Sequence, residues 1–331
     1  MKFLSLGVLL ALAQATPTPT LPEDSTARLA KRATISEAAN LGFASLNGGT
    51  TGGAGGTVTT VSTLPEFTAA VAEKNTASTI VVIRGVITGN EKVRIGSNKS
   101  IIGLPGSGFK GVGLHIRRQK NVIVRNIVSS FVIASSAEDA LKIDESTNVW
   151  VDHCEFYSTL NSDKDYYDGA VDSSHGADFI TISHTYFHDH WKTSLVGHSD
   201  SNGSQDKGKL HITYAHNYFK NVNSRAPLLR FGTAHVYNSF YENMSSAVNT
   251  RMGAQALVQS NVFRNVTAAV VSRDSKEVGF AVLEGNDLGG GIADAPLGNL
   301  ASSSIPYSFS LLGAAAVPSR VPAEAGAILT F

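Results

Sequence analysis

Six short segments along the middle of the chain share one internal pattern, and that recurrence leaves few folds open. They are Asn121–Ile127, Asn148–Phe156, Asp178–Phe187, Leu210–Phe219, Ala234–Phe240 and Ala256–Phe263. Each alternates apolar and polar residues like a strand, and the later ones close on a polar-x-aromatic triplet. The closing aromatics Phe156, Phe187, Phe219, Phe240 and Phe263 lie 31, 32, 21 and 23 residues apart. A further strand-like run, Ala281–Leu288, puts Leu288 at the next step, 25 residues on. Self-similarity at this period belongs to solenoids and propellers. One strand per repeat, with insertions of uneven length, favours a single-stranded parallel β-helix over four-stranded propeller blades. The class is all-β.

Stacked coils place equivalent side chains in ladders. Phe156 to Phe263 are expected to stack inside. Asn217, Asn238, Asn261 and Asn286 are expected to form a polar ladder at a bend. An open solenoid end needs a cap. Thr63 with Glu66 three residues later reads as a capping box, and Phe67, Ala70 and Val71 as an apolar face. A short helix over 63–75 is therefore expected near the N-terminal end. Beyond about residue 300 the chain turns rich in Ala, Ser and Pro and should pack as an irregular tail.

The chain ends carry other signals. Met1 and Lys2 precede the apolar run Phe3–Ala13, and Ala13-Gln14-Ala15 is a small-x-small cleavage site. Residues 1–15 read as a secretory signal peptide, too short to span a bilayer. A Thr/Pro-rich stretch then leads to Lys31-Arg32, which reads as the end of a propeptide, 16–32. The β-helix domain is expected over 33–331 and the protein outside the cell. Cys154 is the only cysteine, so the fold relies on a large core rather than on disulfides. A catalytic thiol there is less expected than a buried small residue. Sequons begin at Asn98, Asn202, Asn243 and Asn265. Acidic and basic residues balance at 27 each. A nucleic acid partner is not expected, since no net positive charge meets phosphates. No membrane partner is expected either, and nothing requires more than a monomer.

Several motifs invite chemical readings. The glycine-rich Gly48–Gly56 lacks the Gly-Lys-Ser/Thr of a phosphate loop and reads as tight turns. His184, His188 and His190 suggest zinc, but they sit in a strand pattern with no fourth ligand in view. The stretch Asp163–Gly169 is not an EF-hand, because its acids are misplaced and Ser174 stands at the twelfth position. An oxygen-rich calcium site remains open. In Asp168–Asp172, the two end carboxylates share one face of an extended strand and repel unless a cation or proton lies between them. Lys192, Arg225 and Arg230 supply cations in the next repeats. Were they to share the face of the aspartates, a metal-plus-cation site would suit a polyanion bearing carboxylates.

Four motifs in order, Asn148-Val-Trp-Val-Asp-His153, Asp168-Gly-Ala-Val-Asp172, the run His188–His198, and Asn223-Ser-Arg-Ala-Pro227, closely resemble secreted pectate lyases of polysaccharide lyase family one. The fungal branch is the nearest in look, and the resemblance runs from about Gly48 to Asn265. It implies a right-handed parallel β-helix and a calcium-dependent enzyme. By that resemblance Asp168, Asp172 and Asp139 match the calcium-binding acids. Some relatives carry a further acid two residues before Asp139; here Ala137 stands there, which implies a thinner shell. Arg225 matches the arginine assigned as base, and Lys192 and Arg230 match cations that hold substrate carboxylates. Trp150, Asp152 and His153 match a signature read here as structural.

The implied reaction is a β-elimination on (1→4)-α-D-galacturonan, that is, polygalacturonate of plant cell walls, giving 4,5-unsaturated products. An arginine base implies an alkaline activity optimum, since a free guanidinium stays protonated near neutral pH. Three rival readings stand beside it, one of them a hydrolase of the same substrate, which would need paired carboxylic acids without Arg225 and Lys192 in these contexts. A calcium-independent pectin lyase would replace one of the acids with a base and carry several cysteines. A non-catalytic pectin-binding β-helix would keep the fold but not turn over substrate.

Overall fold

The computed structural model describes residues 31–331. The expected signal peptide, and all of the expected propeptide but Lys31-Arg32, lie outside the described residues. That final pair forms a short parallel pairing with Leu329–Thr330, so the two ends of the described chain lie side by side.

Among the described residues, the strands build a ten-stranded sheet and a 15-stranded sheet. The ten-stranded sheet runs strictly in sequence order from Thr57–Val61 to Phe280–Glu284, and each neighbouring pair is parallel. Consecutive strands that lie side by side and parallel require the chain to make one full circuit between them, which is a parallel β-helix. The other sheet covers the remaining sides in two arms. The arms meet at the long strand Phe240–Arg251, which pairs with Tyr218–Ser224 along its first part and Leu228–Arg230 along its last.

Alternation decides which side chains point inward. Val149 and Val151 join the main core with Ile180, Ile182, Ile212 and Tyr214, while Trp150 between them faces out. Its outer face is covered by the N-terminal segment, whose Ile35, Ala39 and Ala44 pack on it and its neighbours. Thr181 and Thr213 tie this segment down by accepting hydrogen bonds from the Ala44 and Phe43 amides at 2.9 and 3.1 Å.

The internal aromatic stack exists, with one member exchanged. Phe156, Phe187, Phe219, Tyr241 and Phe263 stack nearly parallel, with centroids 4.6 to 5.6 Å apart. Tyr241, not Phe240, fills the fourth rung, because Phe219 is in register with Tyr241. Phe240 belongs to an outer stack with Tyr186 and Tyr218. Each internal ring removes apolar surface worth about 1.5–3 kcal/mol from water.

The asparagine ladder is likewise partial. Asn217, Asn261 and Asn286 each bridge the preceding coil: their amides donate to Ile182, Val236 and Val258 carbonyls. Their carbonyls accept from the Thr185, Ser239 and Asn261 amides. Asn238 leaves this ladder. Its backbone is left-handed (φ 52°), and its side chain instead holds the tail at Ser310 and Leu312. The capping box forms as expected, but the helix is confined to Leu64–Ala70. The tail is mostly irregular and contains one helix that the composition did not signal, Val317–Glu324. That helix packs on Tyr218, Phe240 and Val262.

Candidate active site

One arm of the larger sheet carries the strands Leu141–Asp144, Val171–Ser174, Leu195–Val196 and Leu228–Arg230 side by side. In Val171–Ser174, Val171 is part of the core and Ser173 is fully buried, so Asp172 projects from the opposite face. By the same alternation Leu141 and Ile143 turn inward and Lys142 outward, directly beside Asp172 in register.

Asp168 does not lie on this strand, contrary to the expectation of a shared strand face. The strand begins at Val171, and Asp168 sits in the loop before it. The loop still brings it to the site. Gly169 donates its amide to Asp139 Oδ1 at 2.8 Å, which joins the turn before one strand to the loop before the next. A Cβ at Gly169 would fall 2.3 Å from Asp172 Oδ1, so the glycine is where the loop passes against that carboxylate.

The three acids differ in setting. Asp139 and Asp172 are 4% and 8% exposed, whereas the Asp168 side chain is 44% exposed. Burial, with the charge of Asp168 adding to it, pushes Asp139 up to about 6. Burial and then the charge of Asp139 push Asp172 well above the ordinary carboxylate range. Clustered buried carboxylates of this kind are costly unless cations offset them. Two lysines do so from either side. Lys142 Nζ lies 3.5 Å from Asp139 Oδ2, and Lys192 Nζ lies 3.0 Å from Asp168 Oδ1. Lys192 also pairs with Asp165 at 2.9 Å, an acid the sequence reading did not single out. Burial would lower the Lys192 ammonium, but its bonds to Asp165 and Asp168 outweigh that and raise it.

Arg225 follows the strand Tyr218–Ser224 in a left-handed conformation (φ 64°). Its carbonyl is fixed by the Ser194 amide and the Thr193 hydroxyl, both at 2.6 Å. The backbone is thus held tightly, while the half-buried guanidinium makes no ion pair or side-chain hydrogen bond among the described residues. Its charge acts on Asp172, Asp165 and Lys192, which places it over the same face. Arg230 ends the strand Leu228–Arg230. Its Nε donates to Asp200 Oδ1 at 2.6 Å and its Nη1 to the Gly197 carbonyl at 3.0 Å. The structure therefore brings Asp139, Asp168, Asp172, Lys192, Arg225 and Arg230 to one face. It adds Lys142, Asp165 and Asp200 as their partners.

Oxygen-only donors of this kind suit a hard cation such as calcium, not a softer metal that favours imidazole or thiolate. The two raised carboxylates, Asp139 and Asp172, are the feature that a divalent cation would relieve. Among the described residues, the groups that bring three metal-capable atoms within 4.8 Å are instead built around His184, with Asp152 and His153 or with His216 and Glu324. His153, His184 and His216 stack face to face, 4.5 and 4.7 Å apart and within 9° of parallel. Rings stacked in this way aim their in-plane lone pairs along parallel planes, so they do not converge on one ion. His188 and His190 are not part of this column. His188 bonds Asp189 and Glu155, and burial, with Lys192 next, holds His190 down to about 4.

Trp150 and Asp152 lie on the ten-stranded sheet and His153 directly follows their strand, away from the acid face. Asp152 accepts from Arg125 Nε and from the Ser183 hydroxyl, and it pairs with His153 Nδ1, all at 2.7 to 2.8 Å. Trp150 donates to the Ser183 hydroxyl and lies under the Arg125 guanidinium. The motif locks coils together. Cys154 is fully buried and its thiol is pushed up to about 12 by burial, which leaves no nucleophile there.

Comparisons with known proteins identify the family. A family model described as pectate lyase matches residues 17–328. A probable pectate lyase B of Aspergillus terreus is 47% identical over 98% of this chain and 99% of its own length. Pectate lyase A of Aspergillus niger is 49% identical over 98% and 97%. Among solved structures, a Bacillus pectate lyase in complex with trigalacturonate superposes with a TM-score of 0.77. It is 33% identical and covers 87% of this chain and 98% of that one. A repeating coil, an acid trio flanked by lysines and an unpaired arginine thus coincide with full-length similarity, and the chain belongs to the pectate lyase family.

Proposed function

We propose that this lyase cleaves (1→4)-α-D-galacturonan by calcium-dependent β-elimination, releasing 4,5-unsaturated oligogalacturonides. The observation that carries the reading is the Arg225 guanidinium. It is half-buried, held by a fixed backbone and uncommitted to any acid, beside three aspartates that suit calcium. Asp139, Asp168 and Asp172 would hold the ion. When bound, calcium neutralises the carboxylate next to C5 of a galacturonate and so lowers the C5–H pKa.

The chain's own residues then divide the work. Lys192 and Arg230 hold substrate carboxylates and fix the reacting unit. Their pairing with Asp165 and Asp200 keeps both side chains extended over the face. Arg225 takes the C5 proton. The electron pair left behind forms the C4=C5 double bond as the C4–O bond breaks. The trigalacturonate carried by the Bacillus relative supports this substrate class. Arg225→Lys tests the assignment. The expected result is a loss of kcat/KM of about 100-fold or more, the range of a positioned base, with calcium binding within about twofold of the parent. A near-normal rate contradicts it.

The reading extends to the protein's setting. It is secreted by the signal peptide 1–15, trimmed after Arg32 to a domain of 33–331, glycosylated at one or more of its sequons, and acts as an extracellular monomer on plant cell-wall pectate. Among the described residues, no helix is long and apolar enough to cross a membrane.

A further inference from the structure

Lys142 has no role in the reaction just described, yet its position is tightly specified. It projects from the strand Leu141–Asp144 on the same face as Asp172, in register with it, so the two side chains stand on adjacent strands about 4.8 Å apart. On its other side it is in register with His115. The sheet order puts Lys142 one strand to one side of Asp172 and Arg230 two strands to the other, with Arg225 in the connection that leads into the Arg230 strand.

Its partners are unequal. Lys142 Nζ lies 3.5 Å from Asp139 Oδ2 and 3.4 Å from Glu138 Oε2. Glu138 is already paired with Lys92, so it keeps a counter-ion if Lys142 leaves. His115 is committed to Asp144 at 3.0 Å, and Asp144 is also bonded by the Ser174 hydroxyl. Among these outward groups, Lys142 is therefore the one whose charge is tied to an acid of the ion site itself. A divalent cation accepted by Asp139 takes over that acid's compensation and repels the ammonium. The lysine, 29% exposed, then keeps only Glu138, an acid it shares with Lys92, at the edge of a face that binds a linear polyanion.

We propose that Lys142 is a displaceable counter-ion: it pairs with Asp139 until calcium claims that carboxylate, and then holds a substrate carboxylate on the side of the ion away from Arg225. Calcium and substrate thereby favour each other's binding, since each gains from the position the other imposes on Lys142. The inference rests on the calcium-dependent reading above, and its test separates the two.

Calcium titration by calorimetry on the purified protein and on Lys142→Gln, without substrate, reads the first half. The variant should bind calcium about three- to tenfold more tightly, the effect of removing one partly exposed competing charge. Steady-state kinetics on polygalacturonate at saturating calcium reads the second. KM should rise about three- to tenfold with kcat within about twofold, and Lys142→Arg should restore KM. An unchanged or weakened calcium affinity in Lys142→Gln, or an unchanged KM, overturns the inference and leaves the lyase reading standing. A parent protein that binds no calcium overturns both.

Discussion

Arg230 owes its place over the site to an acid 30 residues earlier, Asp200. Burial raises Asp200, but its bonds to Arg230, the Lys276 amide and the Ser275 hydroxyl prevail and bring it down to about 2. A lowered carboxylate contributes stability that is complete above its ordinary value of 3.8 and lost as the pH falls through about 2. Asp200→Asn should therefore cost about 1 kcal/mol near neutral pH, discounted for solvent screening, with the difference from the parent vanishing toward pH 2. Denaturant melts across that range check it; a difference that persists at pH 2 would assign the loss to packing. Residues such as Asp200, Asp165 and Lys142 were not legible in the sequence. Lys192 meets Asp165 across 27 positions because coils stack, and no local spacing encodes that meeting. The residues that were legible, Arg225, Lys192, Arg230 and the three aspartates, sit in compact motifs where neighbouring residue types already suggest the chemistry.

Within single elements, alternation is legible in the sequence and register is not. The segments named from the sequence are strands, but Tyr218-Phe219 and Phe240-Tyr241 offer two adjacent aromatics each. Only pairing with the next coil decides which ring faces inward. The same limit applies to Asp168, which reaches the site by a loop rather than a strand. That loop makes its own prediction. Gly169→Ala places a methyl 2.3 to 2.6 Å from the Asp172 carboxyl atoms, so that buried carboxylate must turn aside and release the Leu195 amide. The fold should therefore lose about 1–3 kcal/mol, while calcium affinity falls about tenfold because one donor is turned aside. Calcium calorimetry beside a thermal melt distinguishes this from general damage. Unchanged affinity would mean that Asp172 holds its position without the glycine.

Across the whole molecule, the solenoid separates two kinds of polar cluster. At the ten-stranded sheet and the bend that follows one of its strands, Trp150, Asp152, His153 and Arg125 are buried, bonded into one network and structural. On the acid face, burial and the charge of Asp168 raise Asp139, burial and the charge of Asp139 raise Asp172, and an arginine stands unpaired, an arrangement that stability alone does not favour. The period of the repeats was enough to anticipate the coil. It did not reveal the helix Val317–Glu324, because a short Ala/Pro-rich segment is helical only through its packing on Tyr218, Phe240 and Val262. The central claim is that the acid face runs a calcium-dependent elimination. The direct test follows ultraviolet absorbance of the unsaturated product from polygalacturonate at alkaline pH, with calcium and then with a chelator. Absorbance should rise with calcium and stop when it is removed. Absorbance that is flat on polygalacturonate but rises on highly methylated pectin in the presence of chelator would contradict the account.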